Sequence, residues 1–328
     1  MLELYLLNPS EATYKANCAA FLCHSPHINL LSYYRTACLV LEITGIESVV
    51  RHMCINSCIA YTGPFLNLEA CPMCSEPQYD QFKLQSSGGK ERIAHQKFHT
   101  IPLGPQLQVL YCEPESAAHD HYLREERECI LSDISRNGCL DRYSKILHET
   151  ELIEAFWDKH IGEDNIVLMF SIDSAQLYTM KASACWIYIW VILDLAPERQ
   201  YKKKHVLIGG FIPGPNNPKN LDSFLLPGLQ HLVALQKEGL RIWDAALQHD
   251  IHSKIFLALL TADGPGMMHV TGFVGYHGKH GCHLYCGLQG RRKPAVKHYF
   301  PVLLKPRNYD VEGCTHEDID IRELPKPS

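Results

Sequence analysis

Cys54 and Cys58 stand three residues apart, and after twelve more residues come Cys71 and Cys74, two apart. Two short-spaced cysteine pairs at this separation form the usual four-thiolate pattern for structural zinc. The stretch is too short to hold itself by apolar burial. A structural zinc contributes about 10–16 kcal/mol to folding, as much as a whole domain's net stability. A looser cluster follows later: Cys282 and Cys286, with His277, His280, His283 and His298 nearby. Cys282, Cys286 and His298 are candidate ligands of a second zinc. The same residues equally suit a His- and Gly-rich surface loop.

The second chemistry is carboxylate chemistry. Asp173 and Asp263 each end a continuous apolar run. A carboxylate there is costly unless something compensates it. Two carboxylates about 4 Å apart repel by about 4 kcal/mol at an effective dielectric of 20, so a shared divalent cation would settle them. Magnesium or manganese between them suits metal-dependent phosphoryl transfer, in which paired ions activate a water or a 3′-hydroxyl. Acids at strand ends are also ordinary turn residues or helix caps, and spacing alone leaves both readings open. Asp194, at the end of another run, reads as a turn acid before Pro197.

The elements that must position these groups follow from the hydrophobic pattern. Residues 165–173, 185–193, 205–212 and 254–263 read as strands, the first two buried on both faces. The links 174–184 and 196–204 are short and suit hairpins. A Pro/Gly loop at Pro213–Pro218 precedes a helix predicted over Leu221–Leu247, with Pro227 and Gly228 weakening its first turns. Strand, strand, strand, helix, strand makes an α/β arrangement, the start of a ribonuclease-H-like fold. Its fourth strand lies parallel to the first and brings Asp173 and Asp263 together. The chain divides into a poorly organised segment 1–50, a four-cysteine zinc module at 51–80, a linker with helices at 81–164, and the incomplete ribonuclease-H-like core at 165–328. A Cys/His insert occupies about 275–300.

The 328 residues carry 31 basic and 36 acidic side chains, a net charge of −5. That excludes a strongly basic DNA-coating protein but leaves room for local basic clusters. Lys202, Lys203 and Lys204 form one, and Arg291, Arg292 and Lys293 another. Both are candidate DNA-phosphate contacts, and both also read as solvated loops. The longest apolar run, Cys185–Leu193, is about half a membrane span. No basic n-region precedes the first apolar residues, so no signal peptide is visible. A reducing compartment is expected for the 14 cysteines.

The segment Met53–Phe65 (MCINSCIAYTGPF) with Cys71–Pro77 (CPMCSEP) resembles the cysteine module of CACTA-type (En/Spm-like) DNA transposases, the fungal branch above all. The resemblance continues through Gln96–Pro105, Leu168–Tyr178, Tyr201–Asp222, Leu260–Gly266 and Gly281–Cys286, and covers about residues 45–325. It implies a cut-and-paste transposase with an acid triad on the ribonuclease-H-like core. Asp173 matches the first catalytic aspartate and Asp263 the second. The Cys282/Cys286 pair and His298 match a Cys/His insert.

The implied chemistry is metal-dependent DNA cleavage and strand transfer, with magnesium or manganese for catalysis and zinc for structure. The implied partners are transposon ends and target DNA, a second copy or an accessory transposon-encoded protein, in a nuclear setting and with no membrane. Three departures stand out. Ser174 occupies the usual glycine position after the first aspartate, the three-residue spacing of Cys282 and Cys286 is longer than the two-residue spacing common in plant relatives, and the third acid is expected beyond Ser328, as in a truncated copy. Without that acid, the alternative is a non-catalytic zinc-stabilised DNA- or protein-binding fragment, or a transposon remnant.

Overall fold

The four apolar runs are strands of one six-stranded sheet in the computed structural model. The structure describes residues 2–7, 10–119, 122–140, 146–176, 184–272, 274–275, 277–280, 290–292 and 297–300. Three helices open the chain: α1 (Leu2–Leu7), α2 (Glu11–His24) and α3 (Tyr33–Thr44). α3 starts on a Ser32 cap and stops at Gly45, whose φ of 65° is left-handed. Segment 1–50, which offers little pattern in the sequence, is therefore largely helical. Its helices bury only Tyr14 and Thr36 and leave Phe21, Tyr34 and Ile43 exposed. With so narrow a buried stripe, no 3.6-residue periodicity develops.

β1 (Val49–Met53) leads into the cysteine module, which ends in the short helix α4 (Gln81–Ser86). β2 (Gln96–Thr100) then pairs antiparallel with β1. Next come α5 (Leu103–Tyr111), α6 (Pro114–His119), α7 (Tyr122–Asn137) and α8 (Thr150–Trp157). The core follows. β3 (Ile166–Gln176), β4 (Ala184–Ile192), the one-turn α9 (Pro197–Gln200) and β5 (Leu207–Pro213) make the antiparallel meander. α10 (Leu221–Glu238) crosses over, and β8 (Ile255–Ala262) returns parallel to β3.

Between α10 and β8 lies a hairpin, β6 (Leu240–Asp244) and β7 (His249–Ser253). This corrects the helix predicted to Leu247. Gly239, at φ 77°, ends the helix at Glu238, and Gln248, at φ 59°, turns the hairpin. The sheet order is β1-β2-β5-β4-β3-β8, so β1 and β2, which flank the cysteine module, extend the meander's sheet. Meander, crossover helix and parallel fourth strand form the expected ribonuclease-H-like core, in partial form.

Two clusters of apolar side chains sandwich the sheet. One face packs Leu168, Phe170, Ile172, Tyr188 and Trp190 against α5, α10 and the β6–β7 hairpin. The other packs Val167, Met169, Val191 and Leu193 under α7 and α8. Pro227 sits inside α10 without ending it. Proline offers no N–H, so the Ser223 carbonyl loses its helical partner. The Thr62 hydroxyl donates to that carbonyl instead. Gly228 is demanded by packing, since a Cβ there would lie 2.8 Å from the Tyr188 hydroxyl. Among the described residues, no helix is long and apolar enough to cross a membrane.

Candidate active site and metal centre

Parallel pairing sets the two aspartates side by side. Ile172 of β3 is in register with Ala262 of β8, and Asp173 and Asp263 are the next residues on each strand. A bulge opposite Leu168/Met169, with Ala258 as the extra residue, keeps the alternation in phase. Ile172 and Ala262 both belong to the α10-side cluster. Alternation then turns Asp173 to the opposite face, the one α7 and α8 cover further along, while Asp263, the first residue past β8, turns its carboxylate to the start of the next helix. Both are exposed.

Each aspartate spends one oxygen locally. Asp173 Oδ1 accepts from the Ser174 N–H at 2.6 Å. Asp263 Oδ1 accepts from the Gly266 N–H at 2.6 Å and caps α11 (Gly264–Thr271). A Cβ at Gly266 would come within 2.7 Å of that oxygen, so only glycine leaves the cap intact. Among the described residues neither Oδ2 has a hydrogen-bond partner. Two exposed, adjacent carboxylates with a spare oxygen each fit an oxygen-seeking divalent cation. Ser174 stays in the ladder opposite Trp186 and outside the left-handed region. The position therefore tolerates a side chain.

Asp194 takes no part in this site. It is buried, and its Oδ2 accepts from the Val167 N–H at 2.7 Å at the other end of β3. The acid ties the meander to α7, whose Leu123 N–H donates to the Asp194 carbonyl.

The cysteine module assembles as the spacing predicts. The four sulfurs of Cys54, Cys58, Cys71 and Cys74 all lie within 4.8 Å of one another, with Cys54 and Cys74 at 3.4 Å. Tetrahedral zinc with 2.3 Å bonds spaces its sulfurs by about 3.8 Å, so the set fits the ion. Two knuckles build it. In the first, Ser57 turns left-handed at φ 58° and its N–H bonds the Cys54 carbonyl. In the second, Ser75 does the same at φ 63° toward Cys71.

The Asn56 N–H and side-chain amide point at the Cys54 and Cys74 sulfurs, at 3.4 and 3.7 Å. Such donors favour thiolates. Burial pushes the Cys54 thiol up to about 12. At Cys74 burial also pushes up, but hydrogen bonds from the Glu76 backbone, Asn56 and the neighbouring cysteines bring it down to about 7. Three contacts tie the module to the start of α10. Ser223 Oγ accepts from the Ala60 N–H at 2.9 Å, the Cys58 carbonyl accepts from the Asn220 N–H at 3.0 Å, and Thr62 bonds the Ser223 carbonyl. Sequence reading missed Asn56, Thr62 and Ser223. The proline four residues after Ser223 was the available signal for the last two.

The basic candidates lie elsewhere. Lys202, Lys203 and Lys204 are exposed on the β4–β5 connection, at the end of the sheet far from Asp173. Arg291 and Arg292 form a two-residue strand, β9, paired with β10 (Tyr299–Phe300). The Tyr299 N–H donates to the His277 carbonyl at 2.9 Å, and His298 lies beside His277, ring centres 4.9 Å apart. Cys282, Cys286 and Lys293 lie outside the described residues.

Residues 162–298 match the model of a family described as "Transposase family tnp2". The matched stretch runs from the turn before β3 to His298 and holds both aspartates; the cysteine module precedes it. No curated protein matches this chain.

Proposed function

We propose that this chain carries the catalytic core of a cut-and-paste DNA transposase of CACTA type, cleaving and joining phosphodiesters with magnesium or manganese. The observation that carries the reading is the pair Asp173 and Asp263, exposed and following the paired Ile172 and Ala262 at one end of neighbouring parallel strands. The similarity of residues 162–298 to a transposase family supports it. Asp173 and Asp263 would hold the cation, which when bound supplies Lewis-acid stabilisation to a phosphodiester. The chain's own contribution is position. The parallel ladder fixes the two carboxylates, and the Gly266 N–H holds Asp263 in one rotamer at the positive end of α11. The four thiolates hold zinc as a structural ion that anchors α10.

A second reading, a zinc-stabilised binding protein without chemistry, has one observation in its favour. Among the described residues, no third acid or histidine joins Asp173 and Asp263 in a possible metal cluster. A nicking assay on supercoiled plasmid decides between the two. The transposase reading expects nicks with manganese that Asp173→Asn and Asp263→Asn each abolish. Plasmid binding without nicking, or nicking untouched by both variants, overturns it.

A further inference from the structure

The face that carries Asp173 is only half covered. α7 and α8 pack over Val167, Met169, Val191 and Leu193; toward β1, Gln78 and Tyr79 sit against His52, and between them Ile187, Ile208 and Val50 stay exposed. Strand register sets out a row across this open half. Asp173 pairs with Ile187, Ile187 with Phe211, Phe211 with His99, and His99 with Val50. Directly paired residues share a face, so all five side chains line one surface. Ile187 is 37% exposed, Val50 43%, and Ile208, on the same face, 45%. The middle of the row is aromatic. The His99 and Phe211 rings stack 4.6 Å apart at 18°, half-buried, and Ser48 Oγ fixes the imidazole at 3.2 Å from Nδ1. Lys97, on this face and paired with His52, adds a positive charge; burial, then the charges of Lys97 and Arg51, hold the His52 pKa below its ordinary value.

We propose that this row is a platform for unpaired DNA, seating the bases next to the phosphate held at Asp173 and Asp263. It rests on the reading of those two acids as a phosphodiester site. A duplex stacks its base faces inside and turns phosphates, sugars and base edges outward, so it offers no base face to the row. An unpaired strand offers base faces to Ile187, Phe211 and His99 and phosphates to Lys97. Base stacking on aromatic side chains tolerates any sequence. Strands lie about 4.8 Å apart, so the aromatic pair begins about 10 Å from Asp173. That is within one or two nucleotides of the acids.

The test uses the full zinc-loaded chain in EDTA-free, magnesium-free buffer, with fluorescein-labelled dT15 and a labelled 15-base-pair duplex. Fluorescence anisotropy gives both affinities. Phe211→Ala is expected to weaken dT15 binding about tenfold or more, the effect of one lost stack, and to change duplex binding less than twofold. Ile187→Trp, at an exposed position, is expected to tighten dT15 binding and guards against a misfolded alanine variant.

Equal losses on dT15 and duplex, no change on either, or no dT15 binding by the wild type each overturn the platform. So does a concentration-dependent dimer that Phe211→Ala dissolves while dT15 binding stays intact, because a second copy would then occupy the row. Failure here differs from failure of the catalytic reading. The aspartate variants decide nicking, and Phe211→Ala decides single-strand binding.

Discussion

The Ser223 carbonyl gives the sharpest test of how the cysteine module is joined to the core. Pro227 cannot supply the helical N–H, and Thr62 Oγ1 supplies the hydrogen bond instead. Thr62 and Ser223 are 5% and 4% exposed, so water cannot replace the donor. Thr62→Val keeps the shape and removes the hydroxyl. The buried acceptor left behind costs about 1–3 kcal/mol. Pro227→Ala restores an N–H at the right helical position. In that background the same Thr62→Val should cost less than about 1 kcal/mol, a coupling of about 1–2 kcal/mol between residues 165 positions apart in sequence. The assay is urea unfolding of the four zinc-loaded proteins, followed by tryptophan fluorescence. The cycle cancels whatever Pro227→Ala does alone. Effects additive within about 0.5 kcal/mol would refute the reasoning, because then the hydroxyl and the proline do not share one acceptor.

Three further outcomes are expected. Chelating the zinc should remove hydrogen-exchange protection from residues 54–78 and from the first two turns of α10 together; loss confined to the module would contradict the three-contact anchor. His205 is buried, neither ring nitrogen has a hydrogen-bond partner among the described residues, and burial, then the charges of Lys204 and Arg199, holds its pKa below the ordinary value. The folded chain therefore keeps it neutral while the unfolded chain protonates near pH 6.5. Its stability contribution is full above that pH and is lost below it, by up to about 1.4 kcal/mol per pH unit. Urea midpoints of His205→Leu should fall less steeply with acid than those of the wild type, and parallel curves would remove His205 as the cause. Gly210→Ala places a Cβ 2.4 Å from the His99 carbonyl and 2.8 Å from Tyr188, so β2 and β5 must part. The melting temperature should drop by several degrees, and an unchanged value would show that the sheet yields there at little cost.

The core strands were legible because their apolar runs are buried on both faces, as at Val167–Phe170 and Trp190–Leu193. The cysteine set was legible from spacing, since two knuckles need little else. β1 and β2 were not, because one of their faces is partly exposed and carries Val50, His52, Lys97 and His99, leaving only Met53 and Phe98 as buried apolar residues on the other. The β6–β7 hairpin was hidden by two buried polar residues, Asp244 and Ser253, which interrupt its apolar alternation. Leu240 and Ile242 thus read as a continuation of the α10 stripe. The aspartate pair could be named from strand order, but the register that sets Ala262 beside Ile172 depends on the Ala258 bulge. No local sequence pattern announces that bulge, and a single-residue shift would have moved Asp263 along the sheet edge.

The proposed function has Asp173 and Asp263 hold one divalent cation between them. Iron(II) with ascorbate in air cuts a polypeptide beside the site where the metal binds, and the zinc-loaded chain is suited to the experiment. Backbone cuts are expected at both Asp173 and Asp263 at the same iron concentration, each suppressed by excess magnesium and by either Asp→Asn substitution. Cuts at one aspartate alone, or at neither, would contradict it.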